Sequence, residues 1–220
     1  MIKINIKTSS SRYVYSDAMQ KMHDIHKSIV KKECTSTLWF LEHENCYTIG
    51  NTSSEGDILS RVLPVYNTNR GGQVTYHGHG QIICYVMLDL SLLQKDLIQY
   101  IRFLEQWVIN SLAVFGIHGF TINNQAGVWV KVNNQEYKIA YIGVRISKWV
   151  TYHGFSLNFN PNLDYFQHII PCGLHNSKNT SILKLNSSMQ YKDVISTLID
   201  QFKILLTKNY NISCILNTIR

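Results

Sequence analysis

The chain has 220 residues, of which 45% are hydrophobic and 16% are charged. This balance is typical of a folded protein and excludes a chain kept disordered by high charge and low hydrophobicity. The formal net charge of +7 suits a nucleic acid, an anionic membrane surface or an acidic protein partner. Lysine and arginine are spread along the chain without a dense basic run, which disfavours nucleic-acid binding.

The sequence contains no apolar run of membrane-spanning length and no signal-peptide pattern at its start. Its five cysteines are widely separated and contain no C-x-x-C pair, which favours reduced thiols. We therefore expect a soluble, cytoplasmic protein that binds neither membrane nor nucleic acid. The length predicts one domain over residues 1–220.

The first half of the chain predicts strands around an amphipathic helix. Residues 1–7 alternate between apolar and polar side chains, as a strand does. Apolar residues three and four apart predict a helix over residues 12–33, with Ser11 as its cap. Further strands are predicted at 37–43, 46–50, 64–70 and 81–90.

The second half predicts two more helices, over residues 95–115 and 189–208. Between them, residues 127–160 are rich in Val, Ile, Tyr and Trp, and Asn133 and Asn134 interrupt them as a hairpin turn would. Strands and helices follow one another without regular alternation. This order favours an α+β fold, a mixed sheet flanked by helices, over a parallel doubly wound sheet.

Residues 70–81, RGGQVTYHGHGQ, form the densest unusual segment, with four glycines, two histidines and one arginine. Glycines let the backbone approach a ligand closely. The segment lacks the spacings of the known phosphate-binding loops. His77 and His79 are candidate metal ligands, although most histidines are only hydrogen-bonded or exposed.

Two further residues are candidates for a chemical role. Lys138 lies in a run of small and apolar residues, so its amine is either buried with a function or extended to solvent along its stem. Cys172 stands between Pro171 and Gly173, where a turn favours an exposed thiolate. A zinc cluster of His168, Cys172 and His175 lacks a convincing fourth ligand.

Six motifs in this order resemble one family: RGGQVTYHGHGQ, ICYVMLDL, GVWV, KIAYIGVRI, HGFSLNFN and PCGL. They are similar to those of the lipoyl(octanoyl) transferases, the lipoate-protein ligase B family, within the biotin and lipoate ligase fold group. The resemblance covers most of the chain. It implies a single domain with a mixed sheet flanked by helices, and no nucleotide, metal or other cofactor.

The resemblance also implies roles for individual residues. Cys172 matches the nucleophile that carries the acyl group, and Lys138 matches the lysine that activates it. The matching acyl-binding residues lie in three segments: Arg70, Gly71, Gly72, Gln73, Val74, Thr75, Tyr76 and His77, then Tyr141, Ile142 and Gly143, then Gly154, Phe155 and Ser156.

The implied reaction moves octanoyl from octanoyl-acyl carrier protein to a lysine of a lipoyl domain. The implied acceptors are the lipoyl domains of 2-oxo acid dehydrogenase complexes, with the glycine cleavage H protein as a further acceptor. The sequence departs from the family at several positions. His79 replaces proline, Glu44 and Asn45 stand in a loop where proline is common, Tyr141 replaces a small residue and Ser156 replaces alanine, so the acyl pocket is expected to differ in its lining.

Three alternatives to this reaction remain open. An ATP-dependent lipoate or biotin ligase shares the fold group and needs no covalent cysteine. A cysteine thioester hydrolase would pair Cys172 with His77 or His153 as a base. A basic module without catalytic activity would only bind an acidic partner or nucleic acid.

Overall fold

The computed structural model describes residues 1–171 and 178–219. Cys172 and His175, two of the candidate residues, lie outside the described residues. The helices are α1 (Tyr15–Val30), α2 (Leu97–Val114), α3 (Ile182–Leu185) and α4 (Tyr191–Tyr210). The strands are β1 (Ile2–Tyr13), β2 (Ser36–His43), β3 (Cys46–Ile49), β4 (Val65–Asn67), β5 (Thr75–His77), β6 (Gln81–Met87), β7 (Gly119–Ile122), β8 (Gln125–Val132), β9 (Gln135–Ser147), β10 (Val150–Asn158) and β11 (Cys214–Ile219).

Eight of these strands form the main sheet, in the order β11-β1-β2-β6-β10-β9-β8-β7. The β1 strand is parallel to both of its neighbours, β11 and β2. The remaining pairs are antiparallel. The sheet is therefore mixed, as predicted from the irregular order of the elements.

Helices cover both faces of the main sheet. The apolar stripes of α2 and α4 pack on one face, where Trp107 and Leu198 join Phe155 of β10 in the larger core. On the other face Ala18 of α1 packs beside Trp39 of β2. The predicted α+β class with flanking helices is confirmed.

A second, three-stranded sheet in the order β4-β3-β5 lies against the uncovered part of the second face. Tyr47 and Tyr76 from this small sheet pack with Tyr141 of β9 and with Phe166. The rings of Tyr141 and Phe166 are stacked, with centres 5.3 Å apart. This aromatic layer fixes the small sheet on the large one.

Two tight turns set the pairing of the last long strands. Asn133 and Asn134 join β8 to β9 with φ of 49° and 61°, and Lys148 and Trp149 join β9 to β10 with φ of 52° and 62°. Positive φ at both central residues is the two-residue hairpin geometry that matches strand twist. Asparagine tolerates this conformation, so the first turn was predictable, whereas lysine and tryptophan give no such signal.

The predicted start of the first helix was wrong. The β1 strand continues to Tyr13, because Arg12 and Tyr13 pair with Glu42 and His43 of β2. The α1 helix therefore begins at Tyr15, and no side chain caps it. Ser11, the predicted cap, lies within the strand.

In the described part of the chain, no helix is both long and apolar enough to cross a membrane.

Candidate active site

A cavity lies between the second face of the main sheet and the small sheet with its preceding loop; we call it the inter-sheet cavity. About 50 Å³ of it is open to the centre of a water molecule, and one water needs about 10–15 Å³ by the same measure. Its walls are Tyr15, Arg70, Gly72, Gln73, Val74, Thr75, His77, Ile83, Tyr85, Tyr141, Ile142, Gly143, His153, Gly154, Phe155 and Ser156.

All three predicted acyl-binding segments meet at this cavity. Two of their residues do not form its walls. The Gly71 N–H donates to Val144 O at 3.0 Å and so attaches the loop to β9, and the Tyr76 hydroxyl donates to Asn45 Oδ1 at 2.9 Å. The role of the remaining residues in binding an acyl chain stays a prediction.

Four residues of the cavity wall were not predicted from the sequence to bind the acyl chain: Tyr15, Ile83, Tyr85 and His153. Tyr15 begins the helix whose start was misplaced. Ile83 and Tyr85 sit at alternate positions of β6, where the period of two indicates a shared face but not a cavity. His153 belonged to a recognised motif, HGFSLNFN, yet was considered only as a base for a hydrolase.

Strand register brings small residues together beneath the glycine-rich loop. Gly143 of β9 lies opposite Gly154 of β10, and Ser156 lies between Tyr141 and Ile83. A Cβ on Gly143 would come within 2.9 Å of Gly71 O. Gly143 therefore allows the loop to rest directly on the strand.

Arg70 holds the loop in place. Its guanidinium is buried and donates to Thr48: Nη2 lies 2.8 Å from both the carbonyl O and Oγ1. Its Nη1 donates to Gly71 O at 3.1 Å. These bonds tie the glycine-rich loop to β3, so Arg70 acts as a structural support for one wall of the cavity.

Histidines in and beside the cavity are buried and neutral. His77 Nδ1 donates to Gln81 Oε1 at 2.8 Å, and His153 Nε2 donates to Asn69 Oδ1 at 2.9 Å. Burial lowers the pKa of His77 well below its usual value and that of His153 to about 3. Behind them His43, whose pKa burial lowers to about 4, accepts from the Tyr85 hydroxyl at 2.6 Å.

Lys138 is 1% exposed, so its amine is buried and does not extend to solvent. The ammonium Nζ lies 5.2 Å from the ring centre of Trp129 and 4.8 Å from that of Tyr141. Cation–π attraction of this kind is stronger when the pair is desolvated. The two aromatic rings therefore compensate part of the cost of burying the amine.

Gly127 provides space for the buried lysine. Its φ is +128°, and a Cβ there would lie 2.7 Å from Lys138 Cε and 3.3 Å from Nζ. The Gly127 N–H donates to Oε1 of Glu105 on α2 at 3.1 Å. Burial raises the pKa of Glu105, while this hydrogen bond and the charges of Arg102 and Lys138 oppose the rise.

Residues 178–180 lie beside the backbone of Lys138. The Lys138 N–H donates to Lys178 O at 2.8 Å, and the Thr180 N–H donates to Lys138 O at 3.0 Å. The Tyr141 hydroxyl donates to Asn179 Oδ1. Residues 178–180 thus form a short parallel pairing with β9 at the lysine.

Pro171, the residue before Cys172, borders a second cleft that also includes Tyr137, Lys178 and Asn179; we call it the Pro171 cleft. The chain reaches it from Ile170, whose N–H donates to Asp57 O at 2.7 Å. Pro171 and Lys178 therefore border the same cleft, and Lys178 is bonded to the backbone of Lys138.

The other thiols are separate from this arrangement. Burial raises the pKa of Cys46 to about 12, and it also raises the pKa values of Cys84 and Cys214. A raised pKa keeps a thiol protonated and weakly nucleophilic. These residues fit a structural role.

The two candidate metal ligands of the glycine-rich loop do not share an environment. His77 is buried in β5, whereas His79 is partly exposed, and its Nε2 lies 2.8 Å from Glu44 Oε2. Within residues 1–171 and 178–219, His, Cys, Asp and Glu side chains form no group of three that could hold a metal ion.

Comparisons with known proteins agree with the resemblance of the motifs. Residues 14–203 match the family model of the lipoyl protein ligase A/B catalytic domain. The chain is 37% identical to an octanoyltransferase of Bartonella tribocorum, over 94% of this chain and 89% of the relative. It is 43% identical to an octanoyltransferase of Rickettsia bellii, over 78% of this chain and 84% of the relative.

The fold is similar to that of a solved structure, the bipartite lipoate protein ligase of Thermoplasma acidophilum. The TM-score is 0.72, the sequence identity is 15%, and the likeness covers 99% of this chain and 87% of that chain. At this identity the likeness concerns the fold alone. The predicted lipoate-ligase-like fold is confirmed.

The neutral histidines predict how stability depends on pH. In the folded protein, burial holds the histidine pKa values below the value of about 6.5 in the unfolded chain. In acid the unfolded chain therefore binds more protons than the folded protein does. The free energy of unfolding should therefore fall as the pH drops from 7.5 to 5.5, by up to about 1.4 kcal/mol per pH unit for each fully buried histidine. The pKa is lowered for His23, His26, His43, His77 and His153.

Urea unfolding at pH 7.5, 6.5 and 5.5 measures this dependence. His43→Gln should reduce the change in the free energy of unfolding between pH 7.5 and 5.5. His118→Gln, which alters an exposed side chain, should leave that change as in wild type. Equal free energies of unfolding at pH 7.5 and 5.5 would contradict the prediction.

Proposed function

The chain belongs to the lipoyl protein ligase A/B catalytic-domain family, and from this premise we propose that it transfers octanoyl from an acyl carrier protein to a lysine of a lipoyl domain. The acyl group would be carried as a thioester on Cys172. One observation carries this mechanism: the almost fully buried Lys138 is bonded through its backbone to Lys178, which borders the same cleft as Pro171. The relatives named octanoyltransferase support octanoyl as the acyl group that is transferred.

The first step is acyl transfer to the enzyme. The Cys172 thiolate attacks the carbonyl carbon of the carrier's thioester, a new C–S bond forms, and the carrier's thiolate leaves and takes up a proton. A neighbouring ammonium favours a thiolate. Lys138, held between Trp129 and Tyr141, would supply that positive charge.

The second step is transfer to the acceptor. The ε-amine of the acceptor lysine attacks the acyl carbon, the amide bond forms, and the bond to the Cys172 sulfur breaks. The amine loses a proton in this step and the departing sulfur needs stabilisation. An ammonium that exchanges its proton can serve both needs, and we assign this role to Lys138.

Contacts of the described residues support the pairing of Cys172 with Lys138. Pro171, the residue before Cys172, shares its cleft with Asn179. Asn179 Oδ1 accepts a hydrogen bond from the Tyr141 hydroxyl, and the Tyr141 ring contacts Lys138 Nζ. The Pro171 cleft is thus linked to the amine through Asn179 and Tyr141.

The inter-sheet cavity would hold the acyl chain. Val74, Ile83 and Phe155 supply apolar surface there, and His77 and His153 add no formal charge to the wall. Burial of about seven methylene-equivalents at roughly 0.8 kcal/mol each gives on the order of 5 kcal/mol. This contribution favours medium-length chains over acetyl.

The donor and the acceptor are likewise proposed on the basis of membership in this family. An acyl carrier protein is acidic, and a chain of net charge +7 would attract it over the range of the Debye length. The acceptors would be the lipoyl domains of 2-oxo acid dehydrogenase complexes and the glycine cleavage H protein. The activated thioester makes a nucleotide unnecessary.

The hydrolase alternative has little support in the geometry. It requires His77 or His153 as a general base, and an efficient base has a pKa near the working pH. Burial holds the pKa of His153 at about 3 and that of His77 far below its usual value. Their hydrogen bonds to Gln81 and Asn69 also fix the ring orientations.

Replacement of the nucleophile is the direct test. Cys172→Ser should lower octanoyl transfer to a lipoyl domain by 10³-fold or more, on the order expected when a nucleophile that acts with a partner is removed. Cys34→Ser alters a partly exposed thiol and should retain most of the activity. Intact-protein mass spectrometry should show an octanoyl adduct, removable by hydroxylamine, in wild type and Cys34→Ser only. Near-normal turnover by Cys172→Ser would refute the covalent mechanism.

Lys138 can be tested through the reactivity of Cys172. Lys138→Met removes the charge and keeps most of the apolar stem, so Cys172 should become reactive to iodoacetamide only at higher pH, and transfer should slow by about 10²–10⁴-fold. Lys138→Arg keeps the charge but does not give up its proton, and should preserve early alkylation better than transfer. Lys178→Met, which alters an exposed neighbouring lysine, serves as the control. Identical alkylation profiles for wild type and Lys138→Met would exclude the pairing.

Gly127 should be required for the position of the lysine. In Gly127→Ala the new methyl would lie 2.5 Å from the backbone O of Ala140 and 2.7 Å from Lys138 Cε, at a φ that alanine rarely adopts. We expect a lower kcat and a shift of Cys172 alkylation in the same direction as for Lys138→Met. Gly56→Ala adds a methyl with nothing within 4 Å and should change neither. A destabilised Gly127→Ala protein with a wild-type alkylation profile would show that Gly127 is only structural.

A further inference from the structure

Glu105 of α2 is a buried carboxylate close to the buried lysine. It is 9% exposed, and its Oε1 accepts a hydrogen bond of 3.1 Å from the Gly127 N–H. A Cβ on Gly127 would be 3.3 Å from Lys138 Nζ. The N and Cβ positions of one residue are about 2.5 Å apart, so Glu105 Oε1 lies within about 9 Å of Lys138 Nζ.

The charges of Glu105 and Lys138 act on each other across this distance. Burial raises the pKa of Glu105, whereas the hydrogen bond from Gly127 and the charges of Arg102 and Lys138 oppose that rise. Arg102 is exposed on the same helix, where solvent and salt screen its charge. Of these two cations, Lys138 is the buried one, and a buried charge is screened much less.

The aromatic contacts of Lys138 leave a need for such a charge. Burial disfavours an ammonium relative to the neutral amine. The ring faces of Trp129 and Tyr141 attract a cation, but a neutral ring carries no formal negative charge. A carboxylate carries one, and an opposite charge at short range favours the ammonium.

We propose that Glu105 is a positioning residue whose carboxylate charge keeps Lys138 in its ammonium form. The inference rests on the proposed function, in which that ammonium favours the Cys172 thiolate. The hydrogen bond from Gly127 fixes the carboxylate at the residue that leaves room for the lysine. Glu105 thus acts on the reaction through Lys138 and does not touch the substrate.

The test follows the ionisation of Lys138 itself, by NMR of protein labelled with carbon-13 at the lysine Cε. Loss of a signal in Lys138→Met identifies the residue. Glu105→Gln removes the charge but keeps an oxygen that accepts the Gly127 hydrogen bond, so a merely structural Glu105 would leave the titration of Lys138 unchanged. Across about 9 Å, at an effective dielectric constant of about 20, loss of the charge should lower the titration midpoint of Lys138 by about one pH unit.

Glu33→Gln is the control for the loss of one negative charge. It removes an exposed carboxylate just after α1, the helix on the other face of the main sheet. Solvent and salt screen that charge, so the titration midpoint of Lys138 should stay as in wild type. An equal midpoint of Lys138 in wild type and Glu105→Gln overturns the inference.

The same coupling must appear at Glu105, because linkage between two sites is reciprocal. In Lys138→Met, the Glu105 carboxyl should titrate at a pH higher by about the same amount, because a nearby cation no longer favours the carboxylate. Carbon-13 NMR of labelled glutamate measures this shift, and loss of a signal in Glu105→Gln identifies the residue. If only one of the two variants folds, the titration in that variant decides the inference. An unshifted Glu105 in Lys138→Met overturns it.

Octanoyl transfer to a lipoyl domain separates this inference from the proposed function. Activity of Glu105→Gln should decline at a pH about one unit below that of wild type, because Lys138 loses its proton earlier. A shifted NMR midpoint with an unchanged pH profile of transfer supports the role of Glu105 and refutes the catalytic role of the ammonium. If wild type transfers no octanoyl, the proposed function fails, and the NMR midpoints still decide the inference.

Discussion

The site depends on the burial of one lysine. Removing an ammonium from water is costly unless other groups stabilise it, and Lys138 is 1% exposed. The protein compensates with the faces of Trp129 and Tyr141, and with Gly127, which leaves room for the stem. The carboxylate of Glu105 lies behind Gly127. Several elements, β8, β9 and α2, thus contribute to the position of a single amine.

The described segments on either side of residues 172–177 are bonded to the rest of the fold. Residues 178–180 pair with β9 at Lys138 itself, and the chain before Pro171 is bonded to Asp57. The fold alone would not distinguish a transferase from a ligase. The relatives named octanoyltransferase provide that distinction.

The sequence predicted those features that depend on local pattern. The turn at Asn133 and Asn134 was predictable because asparagine tolerates a positive φ. The start of α1 was not, because pairing of Arg12 and Tyr13 with β2 overrides the local helical periodicity. The walls formed by Tyr15 and Tyr85 could not be inferred either, since separate segments create the cavity only when the two sheets meet. Motif resemblance supplied the segments that local pattern could not.

The two hairpin turns have a consequence that reaches well beyond the loops. Successive side chains of a strand point to opposite faces, so a slip of one residue exchanges the faces. In β10 such a slip would place Leu157, now in the core under α2 and α4, where Ser156 lines the cavity. The left-handed conformation of Lys148 and Trp149 fixes the pairing that prevents it. An insertion or deletion in that remote turn would therefore replace Ser156 by Leu157 in the cavity wall and would turn polar side chains of β10 towards the core beneath α2 and α4.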